Sequence, residues 1–94
     1  MSMTKKILVV DDEQKIINIV RAYLEKENYQ VVTASDGETA LQMFRREKPD
    51  LIVLDLMLPQ LSGNDVCRII RGESETPIIM LTARDELTDK IVGL

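Results

Sequence analysis

Histidine is absent from this 94-residue chain. Its absence excludes imidazole acid-base catalysis, histidine metal ligation and phosphohistidine formation on the chain itself, so carboxylates must carry any chemistry. Cys67 is the single cysteine, which rules out an internal disulfide and fits a reducing compartment. Tyr23 and Tyr29 provide no stacking platform for bases. Basic runs are missing too: 12 Lys and Arg stand against 16 Asp and Glu, for a net charge of -4. Direct nucleic-acid binding by this chain is therefore not expected. The apolar run Ile7 to Val10, behind Lys5 and Lys6, is too short for a signal-peptide core or a membrane span, and no longer one occurs. A cytoplasmic protein is expected. Repeats, low-complexity segments and linker composition are also lacking, and the length fits one domain.

What is present is a set of short, unbroken apolar runs. Leu51-Ile52-Val53-Leu54 ends on Asp55, and Ile7-Leu8-Val9-Val10 ends on Asp11-Asp12-Glu13. Runs without polar alternation suit strands buried on both faces of a parallel sheet. Val31-Val32-Thr33-Ala34 is less apolar and reads as an edge strand, and Ile78-Ile79-Met80-Leu81, introduced by Pro77, ends on Thr82. Between the runs lie helical patterns. From Gln14 to Asn28 apolar residues cover most of the circumference (Ile16, Ile17, Ile19, Val20, Tyr23, Leu24), so that helix expects cover beyond the sheet. Ser35-Asp36-Gly37-Glu38 matches a capping box ahead of Ala40, Leu41 and Phe44, and Pro49 forces Lys48 out of helical geometry. Asn64 is the expected N-cap of a third helix with Val66, Ile69 and Ile70 on its buried face. A last amphipathic stretch aligns Leu87, Ile91 and Leu94. Strand and helix alternation of this kind predicts an α/β fold, a doubly wound parallel sheet with right-handed crossovers.

In such a sheet the residues just past the strands gather on one rim, where ligands bind at the switch point. The rim collects Asp11, Asp12, Asp55 and Thr82. If the first strand neighbours the Asp55 strand, three carboxylates crowd together and repel, and a hard divalent cation relieves the conflict. Carboxylates without histidine suggest Mg²⁺ and phosphate chemistry. Asp55 is the natural nucleophile, and the Thr82 hydroxyl and nearby amides would donate to a phosphoryl oxygen.

Val9-Val10-Asp11-Asp12-Glu13, Leu54-Asp55-Leu56-Met57-Leu58-Pro59 with Gly63 following, and Pro77-Ile78-Ile79-Met80-Leu81-Thr82-Ala83-Arg84 together resemble the receiver domain of bacterial two-component response regulators, most of all the OmpR/PhoB-like group. The resemblance runs from Lys5 to Leu94 and implies a flavodoxin/CheY-like (βα) fold. It implies that Asp55 accepts a phosphoryl group from a sensor histidine kinase. Asp12, Asp55 and the Met57 backbone carbonyl would hold Mg²⁺, with Asp11 helping through water. Thr82 would act as the switch hydroxyl, the Ala83 amide would bind the phosphoryl group, and residues at the Met57 and Arg84 positions would tune its loss to water. The chain would be a signalling switch rather than a turnover enzyme, from a parent that is a DNA-binding transcriptional regulator. Receivers also carry a lysine on a fifth strand, which Lys90 does not match. Residues 1–94 are therefore expected to form a single receiver-like domain that is incomplete at the C-terminus, truncated after about four strands. Such a chain would expose an apolar edge at Ile78 to Leu81 and favour a homodimer or domain swap.

Blander readings exist for each residue. Asp55 would merely cap its loop, Asp11 to Glu13 would be the acidic first turn of a helix, and Thr82 would bond to backbone. Cys67 reads as inert packing and Met43, Met57 and Met80 as fillers or rim residues. An aspartate-nucleophile hydrolase would need a second acid where Met57 stands, and a nucleotide binder would need a glycine-rich loop after the first strand. A receiver-like module that binds partners without being phosphorylated is the remaining alternative.

Overall fold

The structure, a computed structural model, describes residues 4–81. The apolar runs form β1 (Lys6–Val10), β2 (Gln30–Ala34), β3 (Leu51–Asp55) and β4 (Ile78–Leu81), separated by α1 (Gln14–Lys26), α2 (Gly37–Glu47) and α3 (Gly63–Arg71). The strands pair in the order β2-β1-β3-β4, all parallel, with Val10 opposite both Ala34 and Leu54. This is the doubly wound sheet expected from the chain's alternation, with β2 at one edge.

Strand alternation sorts the core into two layers. Leu8, Val10, Ile52 and Leu54 pack with Ala40, Leu41, Phe44, Val66 and Ile70 of α2 and α3. Ile7 and Val9 pack on the opposite side with Ile17, flanked by Val20, Leu24, Leu51 and Val53. That second layer is the thinner one. Ile19 and Tyr23 of α1 are exposed, as is Ile79 of β4, so the apolar circumference of α1 exceeds what the described residues cover.

The helices depart from expectation in three places, two at their caps and one on a face. Asp36, not Ser35, caps α2, its carboxylate accepting from the Thr39 amide at 2.7 Å. An acid at that position also faces the positive end of the helix dipole, which favours it over a hydroxyl one residue earlier. Ser62, not Asn64, caps α3: its hydroxyl accepts from the Asp65 amide and donates to the Asp65 carboxylate, a reciprocal pair that Asn64, already inside the first turn, is not placed to form. Ile69 is exposed rather than buried. With Gly63, Val66 and Ile70 facing the sheet, Ile69 points about 100° away from the centre of that face. Lys48 does leave right-handed geometry, at φ 49° and ψ 61°.

One knot of polar contacts ties the N-terminal ends of the strands. The Lys6 amide donates to the Asp50 carboxylate at 2.8 Å and the Asp50 amide returns a bond to the Lys6 carbonyl. The Lys6 ammonium donates to the Glu47 carboxylate and to its carbonyl, where a cation suits the C-terminal end of α2.

Two outcomes follow from this packing. Leu54→Ala removes a fully buried side chain between α2 and α3 and should cost about 2–5 kcal/mol in urea unfolding at neutral pH. At the α2 cap, the Thr39 backbone hydrogen bond holds the Asp36 carboxyl below its ordinary 3.8. Its folded-state pKa being depressed, the charge-dependent stability is present above that value and is lost as pH falls through the folded pKa. Asp36→Ala should therefore cost about 1 kcal/mol at pH 7, whereas the stability gap between wild type and Asp36→Asn should stay constant above pH 3.8 and shrink only below it.

Candidate functional site

The α1 connection leaves β1 toward β2 on one face, and α2 and α3 cover the other, so the C-terminal ends of β1 and β3 flank the switch point of the sheet. Asp11 and Asp12 follow β1, and Asp55 closes β3. Carboxylate oxygens of the three lie within 4.8 Å of one another. Asp11 and Asp55 are almost fully buried, at 3% and 2% exposure, while Asp12 is exposed. The site is thus a buried pair with an open side.

Local hydrogen bonds aim the two buried acids. Asp11 accepts from the Glu13 amide at 2.8 Å and Asp55 from the Met57 amide at 3.1 Å, each across two residues, so each side chain folds back over the loop that follows its own strand. The capping role considered for Asp55 is present, and it leaves the carboxylate inside the acidic cluster. Asp11 to Glu13 are not the first turn of a helix: α1 begins at Gln14 and has no acid in its first turn. Strand pairing continues past the strand ends through Asp11 amide to Ala34 carbonyl and Leu56 amide to Leu81 carbonyl, which anchors the backbone under both acids.

Two unit charges held near 4.8 Å repel by roughly 3 kcal/mol at an effective dielectric near 20. Oxygen donors of this density and charge are what Ca²⁺ and Mg²⁺ take, and softer metals that prefer imidazole or thiolate find neither here. Cys67 lies on α3, half-buried against the core, consistent with packing. Met43 and Met80 pack there as well, whereas Met57 is exposed on the rim.

Of the residues singled out in the sequence, Asp11, Asp12 and Asp55 converge, and the Met57 amide reaches Asp55. Thr82, Ala83 and Arg84, and the stretch carrying Leu87, Ile91 and Leu94, lie outside the described residues. One contact at the site has no linear signal. Gly63, the first residue of α3, sits so close to the Asp55–Leu56 peptide that a Cβ there would lie 2.4 Å from the Asp55 carbonyl oxygen. Its spacing from Asp55 is readable in the sequence; the approach itself is tertiary.

The chain is 56% identical over 93 residues to the alkaline phosphatase synthesis transcriptional regulatory protein PhoP of Bacillus subtilis, covering 98% of this chain and 39% of that protein. It is 54% identical over 90 residues to the probable transcriptional regulator ycf27 of Cyanophora paradoxa, covering 96% of this chain and 38% of that one. The chain thus spans less than half the length of these curated relatives. Among solved structures, the BeF3-activated N-terminal receiver domain of Klebsiella pneumoniae RstA superposes with a TM-score of 0.81 at 39% identity, over 93% of this chain and 74% of that one. The Thermotoga maritima response regulator TrrA, in complex with Mg(2+)-BeF, gives 0.81 at 39% identity, over 92% and 76%. Residues 7–94 match the response regulator receiver domain, and with that match and this fold the chain belongs to the receiver domain family.

Proposed function

We propose that this chain is a phosphorylation switch of two-component signal transduction, in which Asp55 accepts a phosphoryl group from the phosphohistidine of a sensor kinase in a Mg²⁺-dependent reaction. The convergence of Asp11, Asp12 and Asp55 carries the reading. An Asp55 oxygen bonds to phosphorus as the phosphorus–nitrogen bond breaks, and the imidazole nitrogen keeps the electron pair and takes a proton. Asp12, Asp55 and the Met57 carbonyl would hold Mg²⁺, with Asp11 acting through water. The ion supplies the positive charge that lets an anionic phosphoryl group approach a carboxylate. Burial of Asp55 limits the access of water to the acyl phosphate, and the Met57 amide holds the carboxylate oriented. As the family resemblance implies, the Thr82 hydroxyl and the Ala83 amide would receive the phosphoryl oxygens, and the rim loops would shift between two arrangements as a result.

Such a molecule is a signal transducer rather than a turnover enzyme. Similarity to the transcriptional regulators PhoP and ycf27 supports reading it as part of a cytoplasmic transcriptional regulator, whose DNA-binding function would lie outside these residues. No helix among the described residues is long and apolar enough to cross a membrane. A second reading, a module that pairs with itself or swaps segments without being phosphorylated, is favoured by exposed Ile19, Tyr23 and Ile79.

Intact-mass measurement with acetyl phosphate separates the two. The wild-type chain should gain one phosphoryl group with Mg²⁺ and none without it, and Asp55→Asn should gain none under either condition. A chain that is folded by circular dichroism and stays unmodified would favour the binding module. Asp12→Ala should raise the Mg²⁺ concentration for half-maximal modification by about tenfold or more, because it removes a ligand from a site whose affinity is tuned even by outer contacts.

A further inference from the structure

The segment between Asp55 and α3 is clamped at both ends by glycines that have no room for a side chain. A Cβ on Gly63 would lie 2.4 Å from the Asp55 carbonyl oxygen and 2.8 Å from the Leu56 Cα, and one on Gly37 would lie 2.8 Å from the Leu61 carbonyl oxygen. Neither glycine has a positive φ, so close approach, not backbone conformation, requires them. At Gly63 the obstructing atoms are all backbone, which no rotamer change can move aside. The Gly63 amide also donates to the Leu56 carbonyl at 3.1 Å, closing the loop over Met57. The start of α3 is therefore seated directly on the peptide that joins the buried acid to the residue before Met57.

We infer that Gly63 is a positioning residue for the acidic site: its contact with the Asp55–Leu56 peptide sets the spatial relation between the Asp55 carboxylate and the Met57 carbonyl. The inference rests on the reading of these two groups as Mg²⁺ ligands. A methyl group at position 63 must push the helix start or the peptide aside by about an ångström to reach ordinary van der Waals separation. The peptide is already tied on its other side, the Leu56 amide donating to the Leu81 carbonyl at 2.9 Å. Displacement is consequently expressed in the loop that bears Met57. Mg²⁺ demands near-ideal octahedral geometry, so the loss appears in metal affinity before it appears in the fold.

The test compares the full chain as wild type, Gly63→Ala and Asp50→Ala. The last variant weakens the fold at the rim opposite the acids, where the Asp50 carboxylate accepts from the Lys6 amide. Mg²⁺ affinity is read by isothermal titration calorimetry and by the Mg²⁺ concentration for half-maximal modification by acetyl phosphate, with folding followed by circular dichroism. Gly63→Ala should weaken Mg²⁺ binding about tenfold or more while modification at saturating Mg²⁺ falls far less, and Asp50→Ala should match wild type in affinity. If Gly63→Ala is partly unfolded, the measurement is made in an osmolyte concentration that restores its circular dichroism, with wild type under the same conditions. Wild-type affinity in folded Gly63→Ala, or an equal loss in Asp50→Ala, overturns the inference and leaves the proposed function standing. Wild-type chain that neither binds Mg²⁺ nor takes a phosphoryl group overturns both.

Discussion

The parallel pairing of β1 with β3 is the constraint on which the rest of the molecule depends. These two strands contribute Leu8, Val10, Ile52 and Leu54, all fully buried, to the layer beneath α2 and α3. The same register that places Val10 opposite Leu54 brings the residues that follow, Asp11 and Asp55, side by side at the rim. Hydrophobic burial thus does the work of holding like charges together, a juxtaposition that would not persist in an unfolded chain. The acidic site is a consequence of the core, and anything that loosens the central pair also disperses the carboxylates.

Much of this was legible in the residue order because unbroken aliphatic runs have few alternatives. Ile7–Val10 and Leu51–Leu54 are too short to be buried helices and too apolar to be exposed strands, and each ends on acid. Their order in the chain, with helices between, leaves few topologies open, and the rim follows from the topology. The helix ends were less legible. Ser35 and Asp36 are both competent caps, as are Ser62 and Asn64, and the choice between neighbours is made by how the helix start seats on the rest of the molecule. Ile69 was misplaced for a related reason: three apolar residues on a nine-residue helix define its face only loosely until the sheet selects Val66 and Ile70.

Contacts over long separations had no linear signature at all. Glu47 lies in a charged run that reads as a solvated helix face, yet its carboxylate meets Lys6 at 3.0 Å and is only 26% exposed. The Lys6 hydrogen bond accordingly holds the Glu47 carboxyl below its usual range. Arg45, in the same run, pairs with Glu73 beyond α3, and that partner raises the guanidinium pKa. Gly63 is an intermediate case: its spacing from Asp55 is legible, but the reason for a glycine there emerges only with its neighbours in space.

The knot formed by Lys6, Glu47 and Asp50 gives the domain something like a book's spine. It binds the start of β1 to the end of α2 and the start of β3, and it lies at the rim opposite the acids. Loops on the bound side cannot open without breaking the Lys6–Glu47 ion pair and the hydrogen bonds made by the Lys6 and Asp50 amides. On the acidic side, turn bonds spanning two residues aim Asp11 and Asp55, while the bonds from the Asp11 amide to Ala34 and from the Leu56 amide to Leu81 hold the backbone beneath them. Both rims are thus tied across long separations, one by an ion pair and the other by strand bonds, and the carboxylates are presented from a backbone held at each end.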